Sequence, residues 1–287
     1  MHADRQAAIA SVTGWFAVNT RDLPWRHSTP WGVLVSEFML QQTPVSRVLD
    51  VWAYWLGRWP NPAALAAEPS SAAVAAWGRL GYPRRALRLH AAATAIVGEH
   101  GGEVPRDHDA LLGLPGVGAY TAAAVASFAF GDAYPVLDTN VRRVLARLES
   151  GTQFPPPHPS AAERVRATEW TTQAGPRAAL WAAAVMELGA LVCTSRRPDC
   201  GACPVAESCA WHAAGHPPGR TRPRAQAWAG TNRQCRGVLL DVVRRSPDGV
   251  DVTHLLAAWD DRDQAVTALD GLVADGLVAL DGHLVRL

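Results

Sequence analysis

Four cysteines crowd into one short run, CTSRRPDCGACPVAESC, as Cys193, Cys200, Cys203 and Cys209 with the spacing C-x6-C-x2-C-x5-C. Thiols this close must converge on two disulfides, a zinc ion or an iron–sulfur cluster. Disulfides need an oxidising compartment. The N-terminal MHADRQAAIASVTGWF lacks the charged region and apolar stretch of a secretory signal. No segment approaches the run of about 20 apolar residues that crosses a membrane. The chain therefore reads as soluble and cytoplasmic, where thiols stay reduced. Zinc sites more often use two C-x2–4-C knuckles, and only one C-x2-C pair is present, so a cubane [4Fe-4S] cluster is preferred and zinc is the alternative. Cys235 stands outside the spacing and reads as an ordinary buried thiol.

Two carboxylates lie upstream. Glu37 sits in VLVSEFML, otherwise apolar for several residues. A helix apolar on every side is buried, and burial raises a carboxyl pKa. An acid still protonated near neutral pH can donate that proton in catalysis. Asp138, in VLDTNVRRVLAR, precedes a helix and has the form of an N-cap, which alone would make it structural. Between them lies LPGVG, from Leu114 through Gly116 and Val117 to Gly118. Two glycines at this spacing allow a tight positive-φ turn and close backbone approach, and the free N–H groups of the next helix can hold a phosphate. An isolated G-x-G is more often a plain helix–helix turn.

Charge adds one exclusion. The 27 basic residues are all arginine, so no lysine can form a Schiff base with a sugar aldehyde; only the N-terminal amine remains. The net charge of +1 gives no global basic field that would argue for nucleic acid.

The elements that must place these groups are mainly helical. Helix periodicity covers 7–18, 31–43, 45–57, 62–67, 71–79, 83–100, 107–112, 118–129, 139–148, 160–173 and 176–191, and Pro-rich loops break it at 23–30 and 154–160. HPPGRTRPRAQAW reads as a linker. Beyond it, helices at 234–245, 252–258 and 262–275 precede two short strands, GLVAL and HLVRL, around Asp281-Gly282, an order that suggests a winged helix. The 287 residues suffice for two or three domains.

LPGVG, a loop aspartate and the four-cysteine run, in this order, resemble the helix-hairpin-helix base-excision glycosylases of the endonuclease III superfamily. SEFMLQQT, LPWR, GYPRRALRLH and MELGALVCT are similar to the MutY-type adenine glycosylases within it, and the likeness spans about residues 10–212. The resemblance implies a six-helix barrel domain over 21–134 and an iron–sulfur cluster domain over 135–215, with the N-terminal helix of 1–20 packing on the latter. A linker at 216–233 and a winged-helix-like domain at 234–287 complete the division. It implies a monomer acting on double-stranded DNA with a mismatched or oxidised base pair, in the bacterial cytoplasm at the nucleoid.

It also implies roles. Glu37 protonates adenine N7 and helps deliver water. Asp138 stabilises the cationic sugar, electrostatically or through a transient ester. Asn140 orients Asp138 or the sugar, and Thr139 stands where many members carry glycine. Tyr120 occupies the place of the nucleophilic lysine of the glycosylase-lyases, so base removal should stop at an abasic site. Trp25, Arg26 and Glu187 line the adenine pocket, and Glu187, in the apolar AAAVMELGALVC, needs a partner. Gln42 and Tyr82 wedge into the duplex where the flipped base leaves. Arg196 and Arg197, between the first two cysteines, face phosphates. The family's usual C-terminal Nudix-like domain reads 8-oxoguanine, and 234–287 is too short for one, so the base opposite adenine stays open. The competing readings are a thymine or uracil mismatch glycosylase of the same fold and a non-catalytic iron–sulfur DNA-binding regulator.

Overall fold

A computed structural model describes residues 4–219 and 228–287. The expected linker at 216–233 therefore lies partly outside the described residues. The chain is mainly helical. α1 (Arg5–Asn19) starts at Asp4, whose carboxylate accepts the N–H groups of Gln6 and Ala7. A 3-10 turn at Pro24–His27 leads into α2 (Pro30–Leu40), followed by α3 (Val45–Arg58), α4 (Pro62–Ala66), α5 (Ser70–Trp77) and α6 (Arg84–Glu99). The hairpin pair is α7 (His108–Gly113) and α8 (Ala119–Phe130). Then come α9 (Thr139–Ser150), α10 (Ala161–Ala174, with a Ser160/Glu163 capping box), α11 (Ala178–Leu191) and the short α12 (Ala210–Ala213). The C-terminal segment runs α13 (Asn232–Arg244), β1 (Val250–Asp251), α14 (Val252–Leu256), α15 (Arg262–Ala274), β2 (Ala279–Asp281) and β3 (Leu284–Arg286).

Periodicity extends the second helix to residue 43, but α2 stops at Leu40. Gln42 takes φ +55°, and Thr43 precedes Pro44, a proline that disfavours helix in the residue before it. β1 and α12 escape the sequence reading because two and four residues are too few to show a period.

The described residues form two units. One comprises 4–33, 106–112 and 117–219; the other comprises 34–105, 113–116 and 228–287. In the first, Ile9, Val12 and Phe16 of α1 pack into one core with Val144 and Leu148 of α9, Trp170 of α10 and Val185 and Leu188 of α11. Trp170 and Trp181 stack there with centroids 4.8 Å apart. In the second, buried Trp55 meets Trp59 and Trp77 edge-on at 4.7 and 5.5 Å. Aromatic pairs of this kind contribute about 0.5–1.5 kcal/mol beyond their buried area.

The C-terminal part of the second unit has winged-helix order. α13 and α15 pack through Leu239, Leu240, Leu269 and Leu272, and Cys235 is fully buried, as expected. The sheet order is β1-β3-β2, antiparallel, with β3 central. Asp281 pairs with Leu284, so the wing turns on Gly282 and His283, with Gly282 at φ +61°.

Candidate active site

The first unit carries Asp138. It caps α9: Oδ1 accepts the Val141 N–H at 2.6 Å and Oδ2 accepts Asn140 Nδ2 at 2.8 Å. Asn140 Oδ1 in turn accepts Arg143 Nη2 at 2.7 Å, which also donates to Gly189 O at 2.7 Å. Arg143 Nε donates to Cys193 O at 2.8 Å. A continuous hydrogen-bonded chain thus runs from the carboxylate to the first cysteine of the cluster run. Burial pushes the Asp138 carboxyl above its ordinary range, opposed by the bonds from Val141 and Asn140 and the charge of Arg143. α9 and α11 approach closely enough that a Cβ on Gly189 would lie 2.7 Å from the Asn140 Cβ.

Glu187, also on α11, is buried, and its charge is matched. Oε1 accepts the Arg21 N–H at 2.9 Å and Arg21 Nε at 2.8 Å; Oε2 accepts Arg21 Nη2 at 2.7 Å and Arg26 Nη2 at 3.0 Å. Burial alone would raise its pKa, but the Arg21 and Arg26 guanidiniums hold it below the usual carboxylate range. Glu187 was expected to need a partner, and it has two, Arg21 and Arg26. Arg21, which motif matching passed over, makes the bidentate contact. Trp25 is buried just before Arg26, and the Arg26 guanidinium lies 5.1 Å from the Phe16 ring. Tyr120, the second residue of α8, is half-buried against a small cluster of Ala123, Ala124, Val136 and the α11 residue Ala182.

The second unit carries Glu37, so the two carboxylates belong to different units. Glu37 is 5% exposed, between residues of α2 that are fully buried: Val35, Ser36, Phe38 and Met39. Downstream of α2, Gln42 (φ +55°) and Tyr82 (φ +49°) both hold left-handed backbone and are exposed. Such backbone costs a non-glycine residue about 1–3 kcal/mol and tends to gather at functional sites. One arginine ties the two loops together. Buried Arg85 donates through Nη1 to Phe38 O, Met39 O and Gln41 O at 2.9, 3.0 and 2.6 Å, and through Nη2 to Thr43 Oγ1 and Gly81 O at 2.9 and 3.0 Å. It satisfies the open carbonyls at the end of α2 and fixes the turn before Tyr82. Burial pushes its pKa down to about 10. GYPRRALRLH contains this arginine, but nothing in its spacing separates it from Arg84.

The hairpin differs from expectation in one detail. Gly116 takes φ +80°, whereas Gly118 is extended and caps α8. Gly116 is also sterically required: a Cβ there would fall 2.7 Å from the Arg88 Cβ and 3.0 Å from Phe38 Cε1. Leu114 and Val117 are buried anchors of the turn.

All four cysteines of the run are free thiols. Burial, with repulsion from Cys193, Cys209 and Cys200, pushes the Cys203 thiol up to about 11 against the opposing hydrogen bond from Val205, so four thiolates would not gather here without a metal-rich group among them. Arg147, 1% exposed, supplies a matching observation. It donates to Cys193 Sγ at 3.2 Å, to Thr194 O at 2.8 Å and to Gln153 O at 3.0 Å, and lies 4.6 Å from the Trp211 ring centroid. No carboxylate pairs with it among the described residues, so a bound anionic cluster is its natural counter-charge. His216 Nε2 lies 3.5 Å from Cys200 Sγ and 3.0 Å from His212 Nδ1, which extends the donor set on the exposed side. Arg196 and Arg197 are exposed in a turn where Thr194 Oγ1 donates to Arg197 O at 2.6 Å.

Comparison with known proteins agrees with this geometry. The family of HhH-GPD superfamily base excision DNA repair proteins matches residues 35–170, and the iron–sulfur binding domain of endonuclease III matches 193–209. The adenine DNA glycosylase of Mycolicibacterium smegmatis is 49% identical over 270 residues, covering 93% of this chain and 91% of that one. The Mycobacterium tuberculosis adenine DNA glycosylase is 48% identical over 287 residues, covering 97% and 93%. Among solved structures, a thermostable thymine-DNA glycosylase superposes with a TM-score of 0.66 at 26% identity, over 73% of this chain and 97% of its own. The four thiols hold a [4Fe-4S] cluster, and the fold is the helix-hairpin-helix glycosylase fold. The chain is a DNA N-glycosylase of base excision repair and belongs to the adenine DNA glycosylase family of the HhH-GPD superfamily.

Proposed function

We propose that the protein removes adenine mispaired with 8-oxoguanine or guanine and stops at the abasic site. Buried Glu37 is the proton donor to N7 of the base: α2 encloses its carboxyl away from bulk water. The C–N bond then breaks with its electron pair leaving on adenine, and positive charge develops on the sugar. Asp138, held in place by Asn140 and the Val141 N–H, stabilises that charge. Water adds to the sugar and gives its proton to the Glu37 carboxylate, which restores the acid, and free adenine and an abasic site result. Tyr120 stands at the mouth of α8 where a lyase would need an amine, and the chain has no lysine. Trp25, Arg26 and Glu187 line the base pocket, Gln42 and Tyr82 enter the duplex, and Arg196 and Arg197 meet phosphates. The protein works as a monomer in the cytoplasm, at the nucleoid.

The observation that carries this reading is the Asp138–Asn140 cap in a chain without lysine that is nearly half identical to enzymes named for adenine. The test is a labelled duplex with one A opposite 8-oxoguanine, or opposite G, given to wild type and to Glu37→Gln. Strand cleavage that needs alkali, and only with wild type, is the expected result. Cleavage without alkali would overturn the monofunctional assignment. Base release from T:G rather than from either adenine mispair would move the protein to thymine chemistry.

A further inference from the structure

The positive charge of this chain is not spread evenly. Over the whole sequence 27 basic residues nearly cancel 26 acidic ones. Within the second unit, however, one groove of about 1160 Å3 is lined, among the described residues, by nine arginines and only two carboxylates. One wall is the segment 78–88 with the Gln41–Gln42 turn; the other is α13 with the end of α15. The wall that bears Gln42 and Tyr82 is therefore continuous with the winged-helix-like domain.

The groove is built for its cations. Arg244 donates through Nε to Val74 O at 3.0 Å, while its Nη2 is buried and meets no acceptor among the described residues. Arg236 pairs with Asp275 and rests so close on α15 that a Cβ at Gly271 would collide with its Nη1. Arg79, Arg88 and Arg233 are exposed. The Arg233 guanidinium lies 4.9 Å from the ring of Trp228, which is 53% exposed, and Tyr82 opposite is 48% exposed. Exposed aromatics between arginines, with one buried guanidinium N–H group left without an acceptor among the described residues, form a surface for a polyanion with flat bases rather than for an apolar partner.

We infer that this groove takes the sugar–phosphate backbone of the duplex, and that α13 of the C-terminal domain is its second wall. The inference rests on the proposed activity only in that the duplex is taken to carry an adenine mispair. The C-terminal domain then contributes sequence-independent affinity through phosphates, whatever group reads the base opposite adenine.

The experiment follows the affinity of full-length, cluster-containing protein for a labelled A:8-oxoguanine duplex across a salt series. Arg79→Gln and Arg233→Gln remove one exposed cation from each wall. Each lost phosphate contact should flatten the slope of log K against log salt by about 0.9, and the pair by about 1.8. Arg177→Gln, an exposed arginine of the other unit, loses the same charge and should keep the wild-type slope. Wild-type slopes for both groove variants, or an equal change with Arg177→Gln, would overturn the groove. So would a response to polyglutamate without one to the duplex, which would assign the surface to an acidic protein. Base release is scored in the same samples. Flattened slopes without adenine release would uphold the groove and sink the proposed activity; adenine release with unchanged slopes would do the reverse.

Discussion

Asp138 is caught between two demands. Burial favours its neutral form, while the stabilisation of a sugar cation needs its anion. Asn140 Nδ2, the Val141 N–H and the Arg143 charge oppose burial, and two of these three act through or beside Asn140. The sign follows directly. An anion that loses a donor is harder to form, so its pKa rises, and the ionised fraction at a given acidic pH falls. Asn140→Ala should therefore move the acid limb of the single-turnover rate to higher pH, with the smallest deficit at the alkaline end. A uniform loss at every pH, with the limb in place, would show that Asn140 serves the sugar rather than the carboxylate. The reach of the chain to Cys193 O through Arg143 means that the same asparagine also steadies the entrance to the cluster loop.

Among the elements, α9 and α11 are the pair on which this arrangement depends. Gly189 is where they touch, and its lack of a side chain sets their spacing at Asn140. Gly189→Ala gains helix propensity yet overpacks the contact, and should lose about 1–3 kcal/mol net in urea unfolding together with glycosylase rate. Unchanged stability would mean that α11 shifts freely. α9 also shows the limit of pattern reading. Val141, Val144, Leu145 and Leu148 follow a helical period that places Arg142, Arg143 and Arg147 on the water side, but all three arginines are buried. A hydrophobic pattern reports one apolar face; it does not report that α10, α11 and the cluster loop cover the opposite face and answer its charges. Arg142 finds Glu163 at 2.9 Å, Arg143 finds Asn140, and Arg147 finds the cysteines. The motif-bearing residues were legible because their chemistry is local: a glycine turn, an N-cap aspartate, four spaced thiols. Arg21 and Arg85 were not, because each acts on carbonyls or carboxylates distant in sequence, and no pattern around either residue reports that partner. The positive φ at Gln42 and Tyr82 is likewise imposed by what Arg85 holds.

At the scale of the whole molecule, a large share of the helices rests on the cluster. The run from Cys193 to Cys209 has only a 3-10 turn at Cys200–Ala202 between α11 and α12, yet it closes over a core shared by α1, α9, α10 and α11. Removing iron would leave Arg147 buried without its anion and four thiols crowding one another. Chelation after oxidation should lower the melting temperature, and limited proteolysis should begin within 193–219. A cleavage pattern identical with and without iron would show that the loop folds on its own. The division into two units also means that the groove and its Trp55–Trp59–Trp77 core belong to the unit without the cluster.

No histidine lines that groove among the described residues; its cations are all guanidiniums. Even the two whose proton is loosened by burial, Arg85 and Arg244, hold it to about 10. The binding surface therefore keeps one charge state from mildly acidic to mildly alkaline buffer. Enzymologists rarely have that convenience: capture of the duplex and breaking of the glycosidic bond respond to different variables. Salt adjusts the first and pH the second, so the two steps can be titrated separately.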